Sequence, residues 1–288
     1  MNLRDRLPGA ARWSEAIAGF SAQRSLPKWR SDYFRDPRSS GPGEPHVVLF
    51  VDTFNRYFER ENIDAALKVL GAAGYRVRVA TPNDGGRPLC CGRTFLSVGK
   101  VDEARVEAER TLAALEPFAA DAAPIIGLEP SCLFSFRDEI PSLIRSNTAR
   151  SVAQASLLFE EFLAREAAAG KLQLKLAPMK KRAVLHGHCH QKSFDTMAAV
   201  QSTLKIIPDL EVSAIESSCC GMAGAFGYDA STIDVSRAMG ELSLLPAVRD
   251  ADADAIIVAD GTSCRHQIKD GTGREAVHVA RVLAGVLP

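Results

Sequence analysis

The feature that most constrains this chain is that its cysteine pattern is written twice. Thr53, the run Cys90-Cys91-Gly92 and Cys132 recur as Cys189, the run Cys219-Cys220-Gly221 and Cys264. The offsets are 136, 129 and 132 positions. Val47–Asn55 lies on Ala183–Gln191 in the same alignment. Three separate anchors at nearly one spacing point to a duplicated unit, about 46–140 and 182–270. The odd count of seven cysteines then reads as one complete set of four and one copy with Thr53 in the fourth place.

Hydrophobic periodicity places these anchors on an α/β framework. Short β-rich apolar runs at 47–51, 76–80 and 124–128 read as buried parallel strands. Ile63, Ala66, Leu67 and Leu70 fall at helical spacing, with Gly74 as a stop signal. Asp102 is placed to cap a helix whose Ala104, Ala108, Leu112 and Leu115 share one face. The order then repeats, with strands at 182–185, 210–215 and 255–259 and helices at 195–205 and 231–245. A bridging helix is expected over 151–169, on Val152, Leu157, Leu158 and Phe162. The expected fold is α/β: two duplicated parallel-sheet, Rossmann-like halves related by pseudo-two-fold symmetry, with an irregular N-terminal arm. The boundaries are an arm and linker at 1–45, a first repeat at 46–150, a connecting segment at 151–181 and a second repeat at 182–288.

The arm holds eight basic and five acidic residues, five prolines and both tryptophans, Trp13 and Trp29. Its end, Asp36–Pro45, reads as a linker or irregular loop. The two tryptophans suggest either docking onto another surface or an arm packed on its own domain.

Composition removes several classes of function. Lys+Arg and Asp+Glu are equal at 35 each, so there is no electrostatic footprint for nucleic acid or an anionic membrane surface. No run approaches the roughly 18 apolar residues of a membrane span. The first residues lack the apolar core of a secretory signal. A reducing, cytoplasmic setting follows as the expectation, where cysteines more often bind metals or catalyse than form disulfides.

Cys189, Cys219, Cys220 and Cys264 each follow a predicted strand in the second half. Carboxyl ends of parallel strands face a common crevice, so thiols remote in sequence converge there. Four thiolates in a reduced protein are what structural zinc or an iron–sulfur cluster requires. Adjacent cysteines reach one site only where the chain turns tightly, a freedom that Gly92 and Gly221 supply. Each CCG loop is expected to lead into a helix whose N-terminal amides stabilise sulfur charge. The structural alternative, cysteines acting as small buried hydrophobes, fits one lone cysteine better than seven at matched positions.

The segments LCCGR (89–93), EPSC (129–132), HGHCHQK (186–192), SSCCGMAGAFGYD (217–229) and GTSCRHQ (261–267) resemble the cysteine-rich CCG domain of iron–sulfur oxidoreductases. That domain occurs in the iron–sulfur subunits of glycolate oxidase and anaerobic glycerol-3-phosphate dehydrogenase. It also occurs in heterodisulfide reductase and at the C-terminal end of FAD-linked D-lactate-dehydrogenase-like oxidases, which this chain resembles most. The resemblance covers roughly residues 46–285. It implies an iron–sulfur cluster, one [4Fe-4S], on Cys189, Cys219, Cys220 and Cys264. The family pattern closes with Cys-x-x-Cys, but Glu129 and Gly261 stand where the first cysteine of each pair belongs. A five-cysteine double cluster therefore does not carry over. The first set, Thr53, Cys90, Cys91 and Cys132, is read as a relic without metal, a site completed by another group, or a contributor to a shared site.

His186, His188, His190 and His266 crowd the second set in sequence. Each is a candidate for hydrogen bonding to cluster sulfur, for replacing a ligand, or for proton transfer. His188 and His190 would point away from Cys189 if the segment is extended. Arg93 and Arg265 follow their motifs and either offset sulfur charge or face solvent.

The chain has no ferredoxin-type Cys-x2-Cys-x2-Cys-x3-Cys-Pro run and no G-x-G-x-x-G flavin or nicotinamide fingerprint. With the resemblance, this implies an electron-transfer module or subunit of a flavin-dependent 2-hydroxy-acid dehydrogenase, of the D-lactate or glycolate type. It would not be catalytically complete alone. FAD would sit on a partner subunit or upstream domain, with a ferredoxin-type iron–sulfur module between. The expected partners include no nucleic acid, and membrane association would be peripheral, through partners. The competing readings are a zinc-bound or metal-free assembly module and a heterodisulfide-reductase-like thiol/disulfide reductase.

Overall fold

A computed structural model describes residues 3–36 and 47–288. The linker expected at Asp36–Pro45 lies outside the described residues except for Asp36 itself. Two four-stranded parallel sheets carry the chain. In the first, β1 (Val47–Leu49), β2 (Val77–Val79), β3 (Ile125–Gly127) and β4 (Ser156–Leu158) are ordered β2-β1-β3-β4. In the second, β5 (Lys181–His186), β6 (Leu210–Ala214), β7 (Ile256–Ala259) and β8 (Ala276–Val277) are ordered β6-β5-β7-β8. The two orders are the same order, as duplicated halves require.

The strands form where they do because β-branched runs are buried on both faces. Val47, Val48, Leu49, Ile125 and Ile126 are fully buried, and β1 pairs with both β2 and β3. One hydrophobic core crosses from half to half. It joins Leu49, Ile63, Ala66 and Leu70 to Leu185, Leu204, Val279 and Leu283. Each half adds a core of its own, with Leu112, Leu115 and Phe134 in the first and Met222, Leu245 and Ile268 in the second. A large apolar side chain buried this fully stabilises by about 1.5–3 kcal/mol, so the shared core binds the halves firmly.

Three expectations are corrected. The bridging helix of 151–169 is interrupted: helices Asn147–Ala155 and Phe159–Ala168 flank β4. Leu157 and Leu158 therefore lie in a strand, and β4 pairs with β3 through Ile126 and Leu157. An apolar run three residues long satisfies either periodicity, and the free edge of β3 decided it. Asp102 is not the cap of its helix but lies in the first turn of Val101–Ala120, behind Lys100. The arm is not irregular throughout, since Ala10–Ala18 is helical, bounded by left-handed Gly9 and Gly19.

The arm packs along its own protein. Arg4 is buried and donates to the carbonyls of Arg24 (2.9 Å) and Ser21 (2.5 Å). Arg24 Nη2 donates to Gln267 Oε1 at 2.5 Å in the second half. A few residues on, Trp29 packs against Tyr57 and Phe58 of the first, with ring centroids 5.3 and 4.8 Å away. Trp13 is 71% exposed. No helix among the described residues is long and apolar enough to cross a membrane.

Candidate metal centre

The second set of thiols comes from three strand ends. Cys189 opens the short helix Cys189–Ser193 after β5, the CCG turn follows β6, and Cys264 lies in the first turn of the helix Thr262–Thr272 after β7. Side-chain contacts run in a line from Cys189 to Cys219, Cys220 and Cys264, and on to His186. Cys264 and Cys220 are buried, Cys219 is half-buried and Cys189 is exposed. The set therefore reaches from the core to the surface.

The first set repeats this line as Thr53, Cys90, Cys91 and Cys132. Thr53 opens the helix Thr53–Tyr57, as Cys189 opens its own. The sequence equivalence of Thr53 and Cys189 is thus a spatial one.

The glycine after each pair is dictated by geometry. Gly92 and Gly221 have φ of 80° and 91°. A Cβ on Gly92 would lie 2.9 Å from the carbonyl oxygen of Ala104, and one on Gly221 only 2.2 Å from that of Ser236. The turn aims backbone amides at sulfur. Gly221 N lies 3.3 Å from Cys219 Sγ, and the amides of Met222, Gly92 and Arg93 serve Cys220, Cys90 and Cys91. In the first half these donors are helix N-terminal amides as expected, since Gly92 caps and Arg93 opens a helix, whereas in the second they are turn amides alone. The first CCG turn leads into only four helical residues, and the second reaches a 3-10 turn at Gly224–Tyr228.

Contact between thiols divides their protons. The hydrogen bond from Cys189 pulls Cys219 well below the usual thiol range, and the same contact together with burial raises Cys189. The bond from Cys220 likewise lowers Cys264, while its contacts with Cys219 and Cys264 raise Cys220. Raised and lowered thiols alternate along the line. All four ionise together only when a cation compensates them, which is the chemistry of a soft metal centre. In the first half Cys90, Cys91 and Cys132 are all raised.

The histidines divide into two groups. His186 Nδ1 meets Ser217 Oγ at 2.9 Å, while Nε2 is buried with no hydrogen-bond partner. A ring nitrogen of His186 and the sulfurs of Cys220 and Cys264 lie within 4.8 Å of one another. His188 and His190 do not point away from Cys189. The segment turns into a helix there, and their Nδ1 atoms lie 3.9 and 3.7 Å from its sulfur. Burial, then the charges of His188 and Arg93, push His190 down to about 4, so it is neutral at pH 7. His266 is not brought to the thiols. Its nitrogens face Ser25 Oγ (2.9 Å) and Tyr228 Oη (2.5 Å).

Arg265 is not at the thiols either. It is buried and crosses to the first half, where Nε donates to Glu59 Oε1 at 2.8 Å and Nη2 to Oε2 at 2.5 Å. Arg93 pairs with Glu139.

Sequence reasoning missed the supports of the site. Lys192 donates to the carbonyl of Ser218 at 2.9 Å and contacts Ser217 Oγ at 3.3 Å, strapping the CCG turn to the Cys189 helix. Gln267 Nε2 donates to the carbonyls of Cys220 (2.8 Å) and Ser236 (2.9 Å). Gln191 Oε1 accepts from His188 N at 2.9 Å, and its Nε2 donates to Asp260 Oδ2 at 2.8 Å. Glu129 Oε2 accepts from Thr262 N at 2.9 Å, so a first-half carboxylate caps the helix that bears Cys264. Glu129 was marked only as a departure from the family pattern, and the others had no sequence signal beyond nearness to a cysteine.

Gly261 explains one departure from the family pattern. A Cβ there would lie 2.3 Å from His188 Cδ2 and 3.3 Å from Cys264 Sγ. The imidazole occupies the room a cysteine at 261 would need.

Four converging thiols, amide donors and an unpartnered imidazole nitrogen fit a thiolate-bound metal or cluster. Comparison with known proteins agrees. The family model described as "Cysteine-rich domain" (CCG) matches residues 52–137 and again 183–269. The chain is 27% identical over 279 residues to a component of the anaerobic glycerol-3-phosphate dehydrogenase of Escherichia coli K12, covering 95% of this chain and 68% of that one. It is 28% identical over 276 residues to D-2-hydroxyglutarate dehydrogenase of Pseudomonas putida, covering 94% of this chain and 26% of that protein. Lactate utilization protein A of Bacillus velezensis is 24% identical over 250 residues, which is 82% of this chain and 98% of that one.

Proposed function

The chain belongs to the cysteine-rich CCG domain family and carries the domain twice, and on that premise we propose that it is an iron–sulfur electron-transfer module of a flavin-dependent 2-hydroxy-acid dehydrogenase. The observation that carries this is the line of four thiols in the second half, running from a buried Cys264 to an exposed Cys189. A [4Fe-4S] cluster held by Cys189, Cys219, Cys220 and Cys264 would supply one-electron transfer. Two relatives support the substrate class, since their names refer to the 2-hydroxy acids D-2-hydroxyglutarate and lactate, while glycerol-3-phosphate in a third name is likewise a secondary alcohol.

The chain's own residues would hold the group and tune it. The amides of Gly221 and Met222 face the sulfurs of Cys219 and Cys220. Burial of Cys220 and Cys264 keeps water from the inner side. Exposure of Cys189 leaves the outer side open to a redox partner. FAD would sit on a partner subunit or domain, a ferredoxin-type module would relay electrons, and a quinone or other acceptor would receive them. The work is placed in the cytoplasm, where thiols stay reduced.

Anaerobic purification or reconstitution of the full chain tests this. The expected product is brown, with iron, sulfide and visible absorption. Stoichiometric zinc without sulfide, or no metal after reconstitution, would overturn it.

A further inference from the structure

His186 is the last residue of β5, fully buried, and ends at the inner side of the thiol line. Its environment favours one place for the ring proton. Lys192 Nζ donates towards Ser217 Oγ at 3.3 Å, so the hydroxyl keeps its own proton for another partner. Nδ1 of His186 lies 2.9 Å from that oxygen and is placed to accept the hydroxyl proton. That arrangement leaves a ring N–H on Nε2. Nε2 has no hydrogen-bond partner and no access to water, while a ring nitrogen of His186 lies within 4.8 Å of the sulfurs of Cys220 and Cys264 and the ring touches Cys264. A buried N–H without a partner is destabilising. An acceptor that becomes fully anionic only when the centre is loaded would remove that cost.

The first half shows what the fold itself needs at this place. The equivalent residue is Phe50, buried and packed edge-on against Phe136, 4.9 Å between centroids. A ring of similar breadth without any nitrogen therefore satisfies the same strand end. The imidazole in the second half is not required by packing.

From this juxtaposition of the Ser217 hydroxyl, the His186 ring and the two sulfurs, we infer that His186 is a positioning residue that donates an Nε2–H···S hydrogen bond to the Cys220/Cys264 side of the cluster and raises its reduction potential. The inference rests on the iron–sulfur reading above and deepens it. A protonated Nε2 is not a metal ligand, and the four thiols already complete a set. Hydrogen bonds to ligand sulfur stabilise the more negative, reduced state, which fixes the sign.

The test is potentiometry of the reconstituted full chain, with iron and sulfide measured on each sample. His186→Phe, which copies Phe50, is expected to keep full iron content and to shift the midpoint potential downward. His186→Gln, whose amide N–H can still donate, should recover part of that shift. Ser217→Ala, which frees Nδ1 without touching the ring, should shift it the same way by less. A loaded His186→Phe protein with an unchanged potential overturns the inference and leaves the cluster reading standing. Loss of iron in His186→Phe, with normal iron in Ser217→Ala, makes the imidazole a ligand and overturns the inference as well. A wild-type chain without iron overturns the cluster reading, and the inference falls with it. If His186→Phe does not fold, an unshifted potential in Ser217→Ala is the overturning result.

Discussion

The two halves share a strand order, a CCG turn and a line of four equivalent side chains, yet they differ in what surrounds the sulfur. At the end of β5 and on the turn after it stand His186, His188, Cys189 and His190. On the turn after β1, at the same spacing, stand Phe50, Asp52, Thr53 and Phe54. In the second half contacts with Cys189 and Cys220 hold Cys219 and Cys264 low, and the imidazoles of His186 and His188 add to the effect. The first half places Asp52 and Glu129 near Cys132, and none of its three thiols is lowered. One scaffold thus surrounds its two lines of sulfur with different charges.

The largest effect should come from the ligands. Cys220→Ser is expected to remove most of the iron and bleach the visible absorption, whereas Cys91→Ser should leave iron at the wild-type level. Equal losses in both, by metal analysis, would break the contrast between the halves.

The CCG glycines should differ next. Gly221→Ala must push a methyl group against the Ser236 carbonyl oxygen at 2.2 Å, while at Gly92 the clearance to Ala104 is 2.9 Å. With left-handed strain added, destabilisation of about 4 kcal/mol or more at 221 and about 2 kcal/mol at 92 is expected in urea unfolding. The reverse order would show that the two turns are not equally built.

Glu59→Gln tests the bond between the halves. Burial opposes the Glu59 charge, but Arg265 and Thr262 outweigh it and hold the carboxyl at about 2. Its folded value lies below its unfolded one, so its contribution is present above about pH 4.5 and is lost as pH falls towards 2. Glu59→Gln should cost about 3 kcal/mol at pH 7 and little at pH 2.5. A pH-independent difference would remove the charge pair as the cause.

Glu160 has the opposite sign. Burial, and then the charge of Asp260, raise its carboxyl well above the usual range, and neither oxygen has a hydrogen-bond partner. Its folded value lies above its unfolded one, so the folded state is favoured at low pH and loses that advantage as pH rises above about 4.5. Glu160→Gln should therefore match wild type near pH 4 and exceed it in stability at pH 8, by thermal unfolding.

The smallest effect is the most discriminating. Thr53→Cys restores the fourth thiol of the first half without changing Phe50 or Asp52. Iron content is expected to stay unchanged, because the surroundings still oppose thiolates. A second equivalent of iron would show that the missing sulfur was the whole difference.

Much of this was legible in the residues. The repeat offsets revealed two like halves, and β-rich runs located six of the eight strands. β4 and β8 were missed because three and two residues carry no decisive period, and pairing with β3 and β7 made them strands. The thiol set was readable because cysteines are few and chemically distinct. Lys192, Gln267 and Glu129 were not, because common polar residues acquire a role only from their neighbours.

By itself, the sequence determined the duplication, the four-plus-three division of sulfur and the need for glycine after each pair, since these depend on covalent spacing and local conformation. Only the tertiary structure decided that His186 faces sulfur while His266 and Arg265 do not. All three lie within two residues of a cysteine or a motif. Which way each points is set by what packs behind it: Ser217 behind His186, the arm's Ser25 behind His266, and Glu59 of the other half behind Arg265. Those partners are 31, 241 and 206 residues away, beyond the reach of any local pattern.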